Sequence, residues 1–161
     1  MTFQYMDFEC MTCGTMFERR WFDIGRSFQR VHFRSPGALD EIEVADAEGI
    51  GVFCSQDCLD AGRASLMQEQ GVPIPSVRPG LGPVEKCAKC AGPVDMSAWH
   101  LTYTDGEYEE EKNGVRAIEV DYIAVVCRQC APRGGKSAVA LETGHDDRRE
   151  LGAIKVLAET Q

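Results

Sequence analysis

Phe53-Cys54-Ser55-Gln56-Asp57-Cys58 is the stretch on which the fold turns. An apolar run from Ile50 to Phe53 reads as a strand that delivers Cys54, and Ser55 is a residue suited to cap a helix. Cys58 then falls in the first helical turn, where the helix N-terminal amides favour a thiolate. Two thiols placed in this way grip one side of a metal ion and need a second pair to complete the shell. Cys10-Met11-Thr12-Cys13-Gly14 has the form of a zinc knuckle, with Gly14 permitting the tight backbone path after the second ligand. Two further pairs follow, Cys87/Cys90 and Cys127/Cys130, and the chain has 8 cysteines, so none is left over. Four pairs read as two four-thiolate sites, each filled by one Zn²⁺.

The pairing along the chain is set by a proline-rich stretch. Gly71 to Pro83 contains Pro73, Pro75, Pro79 and Pro83, which interrupt helix and central strand alike and favour extended backbone. It divides the chain into residues 1–70, a linker at 71–83, a second module at 84–133 and a tail at 134–161. Sequential pairing, Cys10/Cys13 with Cys54/Cys58 and Cys87/Cys90 with Cys127/Cys130, is the simpler arrangement. An interleaved cross-brace is the alternative. Forty residues separate Cys13 from Cys54, but doubling a loop adds only about 0.6 kcal/mol of closure entropy, so a β insertion is tolerable there.

Within the first module, Phe3 to Glu9 and Ile50 to Cys54 read as strands, and Arg30 to Arg34 and Glu41 to Ala45 alternate apolar and charged residues as half-buried strands do. After Ser55 a helix is expected, with Leu59, Leu66 and Met67 on its apolar side and Gly71 just past its end. Gly62 weakens that helix by about 1 kcal/mol relative to alanine. In the second module Trp99 to Thr104 and Val115 to Val126 are strands, and Asn113-Gly114 is a hairpin turn signal. The tail permits one short helix, from the capping-box spacing of Asp147 and Glu150. No internal repeat is evident beyond the cysteine pairs. The expected class is a small, zinc-stabilised α+β protein: a treble-clef-like module with a β insertion, then a zinc-ribbon-like module.

Two local resemblances accompany this reading. Tyr5 to Glu18, with an aromatic-rich strand, CxxCG and a following Phe-Glu, resembles the opening of small bacterial FmdB-type regulatory zinc ribbons, and the likeness stops at about residue 18. The FCSxxC element at Phe53 to Cys58 is similar to that of treble-clef families such as the TRASH, MYM-type and plant FLZ domains and the small bacterial gyrase-inhibitor zinc protein. Such resemblance implies zinc-dependent protein contacts or, for some TRASH members, metal sensing.

Composition narrows the partners. A formal net charge of -9 over 161 residues opposes nonspecific attraction to nucleic acid or anionic membrane. The N-terminal MTFQYMDFEC carries acidic residues and no apolar core, and no stretch approaches a membrane span, so a reducing cytoplasm is expected, where paired cysteines hold metal rather than disulfides. His32, His100 and His145 are isolated and read as packing or surface residues. Arg133-Gly134-Gly135-Lys136-Ser137 lacks the first glycine of a phosphate loop.

Two charge features stand apart from the cysteines. Arg19, Arg20, Arg26, Arg30 and Arg34 are interleaved with Trp21, Phe22, Phe28 and Phe33, a composition that holds single-stranded nucleic acid elsewhere, although a solvated rim around a small aromatic core is the favoured account of it. Asp105, Glu107, Glu109, Glu110 and Glu111 crowd a stretch expected at the hairpin tip, where they would solubilise the loop or dock a basic surface of a nucleic-acid-handling enzyme. The expected function is therefore non-catalytic: a two-zinc regulator or adaptor binding another protein, with nucleic-acid binding and metal or redox sensing as the other readings.

Overall fold

A computed structural model describes residues 7–132. The proposed tail helix, His145 and the phosphate-loop-like run lie outside the described residues. The chain forms β1 (Asp7–Glu9), β2 (Met16–Glu18), β3 (Arg20–His32), β4 (Glu41–Phe53), α1 (Gln56–Glu69), β5 (Val84–Lys86), β6 (Pro93–Asp95), β7 (His100–Glu111) and β8 (Gly114–Val126). Among the described residues the fold is thus mostly β with one helix. Two small hairpins, β1-β2 and β5-β6, each carry a cysteine knuckle at the turn. A four-stranded antiparallel sheet of order β4-β3-β7-β8 joins the rest.

The strands run longer than alternation alone suggests. β3 and β4 absorb the segments expected as separate short strands, and β7 continues through the whole acidic run to Glu111. The turn that follows is Lys112-Asn113, with Gly114 at φ 147 opening β8. Helix α1 begins as expected: Ser55 is the N-cap, and its Oγ accepts from the amide of Cys58 at 3.2 Å. Leu59, Leu66 and Met67 are buried, and Gly71, past the C-cap, takes φ 66. Gly62 has a packing reason, since a Cβ there would lie 2.6 Å from the ring of Phe53.

The pairing of β3 with β7 changes the organisation read from the sequence. Ten residue pairs, from Arg20↔Glu109 to Gln29↔His100, stitch the two cysteine-bearing halves into one sheet. The proline-rich segment has no regular structure, yet it lies against the body: Val72 is buried, and Arg78 bonds to Asp105 and Asp121. The two halves are therefore divided in sequence and continuous in the sheet.

They are also copies of one plan, which the sequence reading missed. In the first knuckle hairpin Asp7↔Glu18, Phe8↔Phe17 and Glu9↔Met16 pair; in the second, Val84↔Asp95, Glu85↔Val94 and Lys86↔Pro93 pair at the corresponding places. The amide of Cys10 donates to Thr15 O as that of Cys87 does to Gly92 O, and Met11 N–H reaches Val52 O as Ala88 N–H reaches Val125 O. Gly14 and Ala91 share a left-handed turn, at φ 73 and 61. Both long hairpins shift register twice, at Ile24/Gly25 and Phe28/Gln29 in one and at Tyr103/Thr104 and Glu107/Tyr108 in the other. The halves exchange matching bonds as well, Val31 N–H to Met96 O and Glu110 N–H to Arg19 O. A pseudo-two-fold axis passes through the cross-strand pair Gly25↔Thr104.

Alternation sends neighbouring strand residues to opposite sheet faces. One face carries Ile24, Phe28, Leu101 and Tyr103 and receives α1, whose C-cap residue Gln70 accepts from the Tyr103 hydroxyl at 3.5 Å. The other carries Trp21 and Tyr108, whose stacked rings continue through Phe8 to Phe17 on the first knuckle hairpin.

Candidate metal centres

The cysteines gather as two groups, Cys10/Cys13/Cys54/Cys58 and Cys87/Cys90/Cys127/Cys130, in each of which the sulfurs lie within 4.8 Å of one another. Pairing is therefore sequential, not interleaved. In each group a turn supplies two sulfurs; in the first the end of β4 brings Cys54 and the first turn of α1 brings Cys58, and in the second both Cys127 and Cys130 follow the end of β8. The second copy lacks one residue between its last two cysteines, Cys127 and Cys130, relative to Cys54 and Cys58.

Sulfurs held about 2.3 Å from a central ion at tetrahedral angles stand about 3.8 Å apart. The separations Cys13–Cys54 at 3.6 Å, Cys54–Cys58 at 3.8 Å and Cys90–Cys127 at 3.8 Å match that edge. They are far too long for the roughly 2.05 Å of a disulfide, and all eight thiols are free. The residues present fit a metal ion in each group, and the all-sulfur donor set suits zinc or iron.

Burial and hydrogen bonding prepare the sites unequally. Cys10 and Cys87 are each 2 % exposed. Burial pushes the Cys10 thiol up, but the amides of Cys13, Cys54 and Thr12 more than offset this and bring it down to about 6. Cys87 is brought to about 6 in the same way by the amides of Cys127, Cys90 and Lys89. Burial and the neighbouring sulfurs push Cys54 up to about 12, and the neighbouring Cys127 sulfur, then burial, does the same to Cys130. Four adjacent thiolates repel one another; a divalent cation among them removes that penalty. Thr12 was not singled out by sequence: its hydroxyl donates to Cys58 O at 2.8 Å and ties knuckle to helix.

The charged stretches do not form separate surfaces. Arg20 pairs with Glu107, Arg26 with Glu48, Arg30 with Glu43 and Arg34 with Glu41. Trp21 and Phe28 are buried, so their rings are packing partners. The acidic run lies along β7, not at a tip. Asp105 is buried between Arg63 and Arg78, and Glu109 and Glu111 pair with Arg116 across the hairpin. His32 bonds to Glu43, and buried His100 donates from Nδ1 to Ala98 O; neither approaches the cysteines as a ligand.

Asp23 is the functional candidate that sequence reasoning passed over. Burial, opposed by a hydrogen bond from Trp21 and reinforced by the charge of Asp105, pushes its carboxyl up to about 6. Its only signal in the sequence is a lone carboxylate inside an arginine-rich strand. No helix among the described residues is long and apolar enough to cross a membrane. Comparison of the chain with protein-family models, with curated proteins and with solved structures finds no match.

Proposed function

We propose that this protein is a non-catalytic, two-zinc regulator or adaptor that works by binding another protein in the cytoplasm. The observation that carries the reading is that four cysteine sulfurs stand at tetrahedral spacing in each group. A catalytic zinc keeps a position open for water or substrate, and a shell of four thiolates leaves none. The metal then serves as scaffold. The first half is treble-clef-like, with its knuckle, long hairpin and ligand-bearing helix, and the second is ribbon-like. The FCSxxC resemblance supports protein contacts as the role of such a scaffold.

The nucleic-acid reading is weaker, because four of the five arginines on which it rests are held by glutamates of the same sheet. Two measurements test the proposal together. Native mass spectrometry is expected to show two zinc ions per chain, and one ion, or iron with labile sulfide, would overturn the site assignment. Mobility-shift assays with short single- and double-stranded probes at low salt are expected to show no complex. A complex with a steep salt dependence, lost in Arg19→Ala with Arg30→Ala, would replace the protein-binding reading with the nucleic-acid one.

A further inference from the structure

The near-symmetry of the two halves exposes one place where they differ in a way that packing does not require. On the sheet face opposite α1, the second copy fills the space beside its knuckle with Tyr122, whose hydroxyl accepts from Gln29 Nε2 at 3.2 Å. The corresponding residue of the first copy is Gly49. A Cβ at Gly49 would meet nothing within 4 Å. What remains is an open groove of about 650 Å³ between the first knuckle and β4, walled by Phe8, Met11 and Trp21 with Asp23 in its lining.

Among the described residues Asp23, like Glu110 and Glu119, has no arginine or lysine partner, whereas Glu41, Glu43, Glu48, Asp105, Glu107, Glu109 and Glu111 on the same sheet each have one. Among those residues it receives the indole hydrogen bond of Trp21, and its raised carboxyl is what a half-buried carboxylate without a counterion shows. The described lining of the groove therefore lacks a cation, beside an aromatic wall that also favours one. Its other side is β4, an outer strand of the sheet. Such an edge presents backbone donors and acceptors to any extended segment laid beside it. Met11 N–H already uses Val52 O in this way.

We infer that the groove is a docking site for an extended peptide of a partner protein, which adds to the outer edge of β4 and places a lysine or arginine side chain against Asp23. The inference rests on the protein-binding reading above and names the chemistry of its partner. Main-chain bonds to Gly49–Gly51 set the peptide's direction, and the salt bridge to Asp23 selects the basic residue. Gly49 is glycine so that the side chain can enter.

The test uses the full chain with both metals bound and fluorescein-labelled hexapeptides of alternating valine and threonine, with lysine, arginine, glutamate or norleucine at one central position. The lysine and arginine peptides are expected to bind at least tenfold more tightly than the other two. Asp23→Asn should erase that preference, and Gly49→Tyr should abolish binding while native mass spectrometry still shows two metal ions. Equal binding of all four peptides, or a preference that survives Asp23→Asn, overturns the inference. A partner protein that binds wild type and Gly49→Tyr equally would also overturn it while leaving the adaptor reading intact. Failure of any protein partner to bind would sink that reading instead.

Discussion

Single residues in this molecule answer to opposing demands, and the magnitudes decide which one wins. Gly62 costs its helix about 1 kcal/mol relative to alanine in propensity, yet a Cβ there would stand 2.6 Å from Phe53, itself fully buried, and 3.0 Å from Thr12 Oγ1. Overpacking of that kind costs about 1–3 kcal/mol. Gly62→Ala is therefore expected to destabilise the protein in urea unfolding despite its better helix propensity. Asp23 shows the opposite balance. With its folded carboxyl near 6 against an ordinary 3.8, the folded state holds the proton more tightly between those values. Stability contributed at this site is lost as pH rises through that window, and the penalty is fully present above it. Asp23→Asn should then stabilise the protein at pH 8, and by less at pH 5, in unfolding curves measured with metal bound. A gain independent of pH would mean that burial of the charge is not the cause.

Elements are held by the residues that begin and join them. Ser55→Ala removes the acceptor for Cys58 N–H and is expected to cost about 1 kcal/mol in thermal or urea unfolding, the usual worth of an N-cap. Asp105 is a stronger tie, joining β7 to Arg63 of α1 and Arg78 of the proline-rich segment, with its side chain only 6 % exposed. Leaving one partner of a buried pair uncompensated costs about 3–5 kcal/mol, but here Arg63 keeps Asp60 and Arg78 keeps Asp121. Asp105→Ala should therefore destabilise the protein by less than that in urea unfolding and loosen α1 and residues 72–78 in amide exchange. A change confined to β7 would show that the arginines do not hold those segments. The acidic run is thus a row of intramolecular partners, and its clustering in the sequence reflects a strand set beside arginine-bearing neighbours.

At the scale of the molecule, the shared sheet makes the two metal centres interdependent. Neither half is complete without the other, because β3 and β7 would each become a bare edge. Calorimetry is expected to show a single unfolding transition for the metal-bound chain. Cys58→Ala and Cys130→Ala, one in each site, should both lower that same transition, and two separable transitions would mean that the halves fold alone. Fragments 1–70 and 84–133 should remain unstructured with zinc, as read by the dispersion of their amide resonances.

How much of this was legible beforehand follows from the range of the interactions. The four cysteine pairs, the capped helix at Ser55 and its buried stripe of Leu59, Leu66 and Met67 depend on neighbours a few positions away, and spacing reveals such neighbours. The repeat was faintly visible in Ile50-Gly51-Val52-Phe53-Cys54 against Ile123-Ala124-Val125-Val126-Cys127, but the copies share backbone pairing more than side chains, and pairing is not written as residue identity. The two charge clusters looked like separate surfaces because nothing local indicates that β3 and β7 lie side by side. Sequence alone determined the donor sets, since thiol chemistry and turn geometry act within each pair. Only the tertiary structure decided which charges cancel and that Asp23, among the described residues, is left without a cation beside an open groove, because both depend on strands brought together from distant parts of the chain.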